Sequence, residues 1–150
     1  MLFQRVNRSD PERVFMDMLN NNAGSTAAGD TAQLELAAAS IDGVKARSVA
    51  SGNEFAFLGV WDGITTSGQY GLVQIYGYRS SAKVFQTNTS QDTGCVLVAV
   101  AGQLYMQSIV TTVASNTTIT QQPIMAVLGQ SIASSAGSAA VSVKVFIRAM

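Results

Sequence analysis

The chain has 150 residues, nine Lys and Arg balanced by nine Asp and Glu, no histidine and one cysteine. That length fits one domain with a core large enough to fold without staples, and a net charge of zero leaves no electrostatic footprint for nucleic acid. Only 12% of residues are charged while 47% are hydrophobic, a balance that suits packing against copies of the same chain or a large lattice.

The N-terminus offers Leu2 and Phe3 before Gln4 and Arg5, with charges recurring to Asp17, so it reads as an arm over residues 1–12 rather than an export signal. Half of the six arginines lie here, in a mixed cluster of Arg5, Arg8, Asp10, Glu12, Arg13 and Asp17. As a solvated end the cluster does nothing further. As a docking arm, Arg5, Arg8, Asp10 and Arg13 are the candidates for contact with a partner, because arginine favours paired interface sites.

Residues 9–19 pull two ways. Ser9-Asp10-Pro11-Glu12 spells a capping box with an early proline, and Val14, Phe15, Met18 and Leu19 fall at helical spacing. Val14, Met16 and Met18 also alternate, and the turn Asn20-Asn21-Asn22-Ala23-Gly24 follows. The local signals lean to a helix.

Beyond this point period-two patterns dominate. Leu34 and Leu36 alternate with Gln33 and Glu35, as in a half-buried strand. Residues 55–61 form a strand ended by the turn pair Asp62-Gly63. After the polar turn 67–71, residues 72–78 are aromatic and β-branched and again strand-like. Residues 96–100 and 104–110 flank Ala101-Gly102-Gln103, which predicts a tight hairpin. Residues 124–128 after Pro123 make a short strand, and a loop of small residues follows between Ser131 and Ala140. At the end Val141, Val143, Val145 and Ile147 alternate with Ser142, Lys144, Phe146 and Arg148, a strand with one β-branched face and one charged face. The fold class is therefore all-β: a single-domain sandwich or barrel of about eight to ten short antiparallel strands, over residues 1–150, preceded by the arm.

The longest uncharged stretch, residues 93–143, contains no Asp, Glu, Lys or Arg. It is no membrane span: residues 95–113 are interrupted by Gly102, Gln103, Gln107 and Ser108. Cys95 lies in an apolar run without a basic neighbour and reads as a small buried thiol.

Catalytic chemistry finds no foothold. Without histidine, acid–base work falls to carboxylates, yet Asp42 and Asp62 precede glycines and Asp30 follows one, which is turn chemistry. Ser80-Ser81-Ala82-Lys83 spells Ser-x-x-Lys, but that chemistry needs the serine at a helix start, whereas this string lies between strand-like segments. No phosphate loop and no Cys/His cluster occurs, so no catalytic, metal or cofactor residue is assigned. Trp61, Tyr70, Tyr76 and Tyr78 offer either core packing or a sugar-stacking platform.

Several strings together resemble small structural proteins of tailed bacteriophages. These are Val14-Phe15 before the Asn/Gly turn, Phe57-Leu58-Gly59-Val60, Gly71-Leu72-Val73-Gln74-Ile75-Tyr76-Gly77-Tyr78, and the closing Lys144-Val145-Phe146-Ile147-Arg148-Ala149-Met150. The family is that of capsid decoration, or cement, proteins, which bind the outside of an icosahedral head, often as trimers. The resemblance implies that residues 14–19 form a strand, against the local helix signal. It also implies a non-enzymatic virion protein made in a bacterial cytoplasm, with itself and the major capsid protein as partners. It implies no catalytic or metal-binding residue. A carbohydrate- or receptor-binding β-sandwich built on the aromatic set is the alternative.

Overall fold

A computed structural model describes residues 12–37, 43–50, 53, 56–86, 90–100, 102–106, 125–133 and 139–149. Among them no α-helix occurs, and all strands join one nine-stranded sheet. The strands are β1 (Arg13–Asn20), β2 (Thr31–Leu34), β3 (Lys45–Ser48), β4 (Phe57–Trp61), β5 (Tyr70–Phe85), β6 (Val96–Val100), β7 (Gln103–Met106), β8 (Ala126–Leu128) and β9 (Ala140–Arg148). The all-β expectation holds.

The sheet closes on itself twice. β1, β3, β2, β4 and β5 form one ring, because β1 returns to pair with β5. β5, β7, β6, β8 and β9 form a second, because β9 also pairs with β5. The molecule is thus a pair of small barrels fused along one 16-residue strand. Closure removes open sheet edges, the feature that otherwise invites uncontrolled pairing between chains.

Two pairings depart from the antiparallel expectation: β1 runs parallel to β3, and β5 parallel to β7. The reason is parity. Every antiparallel pairing reverses strand direction, so a closed circuit needs an even number of them. A ring of five must then contain an odd number of parallel pairings, and each ring here has one.

β5 reaches both rings by irregularity at its middle. Gly77 has φ 98° and faces β1 on one side and β9 on the other, paired with Arg13 and Ile147. A Cβ there would overlap the carbonyl of Glu12, so only glycine permits the approach. A register shift follows between Arg79 and Ala82. The Ser-x-x-Lys string lies inside this one strand, not between two, and Lys83 Nζ ion-pairs with Asp30 at 2.6 Å.

Each ring has its own core. Met18, Ala32, Ala46, Trp61, Val73 and Ile75 fill the first. Leu97, Leu104, Leu128, Val143, Val145 and Ile147 are central to the second, to which the first ring lends Val60 and Val49. Ala149 touches both, and the backbone bonds Thr31 N–H to Gly102 O and Gly102 N–H to Val49 O tie the two together.

Two local expectations are corrected. Residues 13–20 are strand, as the family resemblance implied and the helical spacing did not. β1 pairs with β5 along seven positions and with β3 at its end, which buries Met18. Ladder bonds on both sides and a shared core outweigh a local cap signal. In β2 both faces are covered: Ala32 and Leu34 pack in the first core, and on the opposite face Gln33 and Glu35 are buried as well, which the half-buried pattern did not anticipate. Both polar side chains are satisfied, Gln33 Oε1 by the N–H of Ala50 at 2.8 Å and Glu35 by Asn21 at 2.8 Å and the N–H of Ala37 at 3.0 Å. The 96–106 hairpin forms as expected, Val100 facing Gln103 across a turn that contains Gly102 at φ 82°.

Candidate interaction surface

Of the four proposed contact residues, Arg5, Arg8 and Asp10 lie outside the described residues. Arg13 is exposed at the head of β1, beside the kink at Gly77. The described surface therefore bears on the docking arm only at its root.

The aromatic set divides. Trp61 is fully buried in the first core and takes no part in any surface. Tyr70, Leu72 and Gln74 share the outward face of the first ring as a short stripe, since alternate residues of a strand point the same way, while Val73 and Ile75 turn inward. The register slips between Gln74 and Tyr76, so Tyr76 pairs with Val14 and packs with it against the first core, and on the other side Tyr76 and Tyr78 pair with β9. Tyr70 is 60% exposed and Leu72 49%, against full burial of the inward Val73. Across the ladder Tyr70 faces Leu19 and Leu72 faces Asp17, while Tyr78 faces Phe146 of β9. Tyr76 meets Phe146 edge to face, ring centroids 5.3 Å apart, a geometry aromatic rings favour. Ile64, in the turn between β4 and β5, is 80% exposed.

Gln74 interrupts this stripe. It is buried, and its side-chain amide donates to the carbonyls of Tyr76 (3.2 Å) and Tyr78 (3.0 Å) while accepting from Arg79 Nη1 at 3.4 Å. Arg79 is itself buried and uses all five of its N–H groups. Nε donates to Ser81 O at 2.7 Å and Nη1 to Asp62 Oδ1 at 2.8 Å, and Nη2 reaches the carbonyls of Trp61 (3.0 Å) and Asp62 (3.2 Å). A planar fork of fixed donors suits this crowded joint, where a lysine offers only a point charge. The network pins β5 where it leaves one ring for the other, and so holds apart a patch on each ring.

The patches differ in charge. On the first ring Asp17 pairs with Leu72 and shares the outward face with Leu19 and Tyr70. On the second, Tyr76, Tyr78 and Phe146 lie beside Lys144 and Arg148, which share the outward face of β9 with Phe146. Asp17, Lys144 and Arg148 are exposed and form no ion pair among the described residues. Asp30, Glu35 and Asp62 are paired with Lys83, Arg47 and Arg79.

Glu35 is buried among Asn21, Ala37 and Arg47. The Ala37 N–H, then the Asn21 amide, hold its carboxyl below the ordinary value of 4.5, with Arg47 adding a lesser pull. It anchors the turn after β1 to β2 and faces no cleft chemistry. Among the described residues no group of three or more His, Cys, Asp or Glu is placed to hold a metal ion.

Sequence reasoning placed Phe146 on the outward face of the last strand, as found, but missed the exposure of Ile64 and Leu72 and grouped Trp61 with the wrong neighbours. The signal was present for Leu72: period two over residues 70–74 puts Tyr70 and Leu72 on one side and Val73 on the other. For Ile64 there was none, because an apolar residue after a turn pair reads equally well as core. Comparison with known proteins finds no matching family model, no matching curated protein and no matching solved structure.

Proposed function

We propose that this chain is a non-enzymatic structural protein of a phage virion that binds the outer surface of the capsid as an oligomer and stabilises it. The observation that carries the reading is a set of exposed apolar side chains on a chain with few charges: Tyr70 and Leu72 of β5, Ile64 in the turn before it and Phe146 of β9. Large exposed apolar side chains gathered in this way mark a contact between proteins. The paired barrels add support, since closed rings present side chains rather than unpaired backbone and so limit association to defined faces. The family resemblance supplies the shell as the partner, and three copies as the expected assembly.

Stabilisation follows from linkage. A protein that binds assembled capsid and not free subunits shifts the equilibrium toward the shell, and many weak sites act together. The test is the mass of the purified chain in solution, followed by co-sedimentation with empty phage heads that lack it. The expected result is a homo-oligomer, three copies by mass, that pellets with the heads. A chain that stays monomeric at high micromolar concentration and remains in the supernatant overturns the reading.

The alternative, a carbohydrate- or receptor-binding module, retains one supporting observation: Tyr76 and Tyr78 are half-exposed beside Phe146. With Trp61 in the core, its platform loses the broadest ring.

A further inference from the structure

We infer that these two patches bind each other between copies of this chain, the Asp17 patch of one copy seating on the Lys144–Arg148 patch of the next. The inference rests on the oligomeric half of the function proposed above and names the surface that makes the oligomer.

Three observations point to a second copy as the occupant. First, the patches are complementary in charge: one carboxylate set among aliphatic side chains, and two cations set among aromatic ones, none of the three paired among the described residues. Second, they are complementary in kind. Tyr70, more than half exposed beside Asp17, offers a ring face to the cations of Lys144 and Arg148, and an arginine or lysine over such a face is attracted to it. Third, the patches lie on different rings, held apart by buried Gln74 and by Arg79 at the joint between them. That separation lets one copy carry both halves of the contact without folding back on itself.

Each copy offers one patch of each sign. A reciprocal pair satisfies both at once, and a three-membered ring satisfies each in turn around the circle; both are closed assemblies. An acid and a base brought together with surrounding apolar contact fix the register of the contact as well as its strength.

The test is charge reversal. Three variants of the full chain are compared with the parent by sedimentation velocity over a range of concentrations: Asp17→Arg, Lys144→Glu with Arg148→Glu, and all three changes together. The altered side chains are exposed, and unchanged melting temperatures check that each variant folds. Each partial reversal places like charges across the contact and should weaken association by about tenfold or more. The combined variant restores opposite charges and should return to within roughly threefold of the parent. Partial reversals that associate like the parent overturn the inference, as does a combined variant that stays as weak as either part. A parent of one copy by mass overturns it too. If the reversal pattern holds but no variant or parent pellets with phage heads, the self-contact stands and the capsid reading alone is lost.

Discussion

Two buried side chains carry more of the architecture than their number suggests. Arg79 closes five hydrogen bonds at the joint between the rings, three of them to backbone carbonyls. Arg79→Met leaves the carbonyls of Trp61 and Ser81 without that donor and the Asp62 carboxylate without its cation. The expected cost is about 2–4 kcal/mol in a denaturant titration, most of it from unmet buried acceptors rather than from the half-exposed ion pair. Arg79→Lys should recover only part of that, because one ammonium with three donors cannot reach five separate acceptors. Glu35 gives a pH signature. Its folded-state carboxyl titrates below the unfolded one, so its contribution is complete above about pH 4.5 and is lost as pH falls through the lower folded value. Glu35→Gln should therefore be less stable than the parent at neutral pH. The two should converge in acid, as melting temperatures measured from pH 7 down to pH 3 will show.

At the scale of elements, β9 is the seam of the second ring. It lies between β5 and β8 and buries Val143, Val145 and Ile147, each contributing about 1.5–3 kcal/mol of burial before entropy is counted. Deleting residues 141–150 opens the ring and strips its core, so the truncated chain should fail to fold in soluble form. Recovery of soluble protein with the parent's melting temperature would contradict this. β9 was also the most legible element in the sequence, because its alternation of β-branched and charged residues maps directly onto one buried and one wet face. The hairpin of β6 and β7 was legible for a similar reason: Gly102 marks the turn and apolar runs flank it. β2 was legible on one face only, since a pattern of Leu against Gln and Glu says nothing about Asn21 and the Ala37 and Ala50 N–H groups that let the polar face be buried too. β1 misled locally for a different reason. Its capping box and helical spacing are properties of ten residues, whereas its strand state comes from pairing with β5 more than fifty residues on, which only the resemblance anticipated. The ring closures had no local signal at all. They follow from long-range pairing, and the surface stripe on β5 became visible only with them.

For the whole molecule the sequence supplied a surface poor in charge and the structure supplied where its apolar part is concentrated. Of the contact candidates, Arg5, Arg8 and Asp10 precede the first strand in sequence and lie outside the described residues. Replacing Arg5 and Arg8 with alanine should leave folding and oligomeric mass unchanged and should weaken attachment to phage heads by about tenfold at low salt. The gap to the parent should narrow as salt is raised and the parent's own ion pairs are screened. Decoration as tight as the parent's, measured by co-sedimentation across a salt series, would assign the arm no part in the contact. One further consequence comes from the way β5 is shared. The first ring uses only strands up to β5, and the second uses only β5 and what comes after it. During synthesis the first barrel therefore has all of its members before β6 is made, and it can close while the ribosome is still translating. The distal half of β5 must then wait, its edge open, until β9 arrives as the last strand to be made. That interval, more than the finished protein, is when this chain is exposed to mispairing with its neighbours on a crowded polysome.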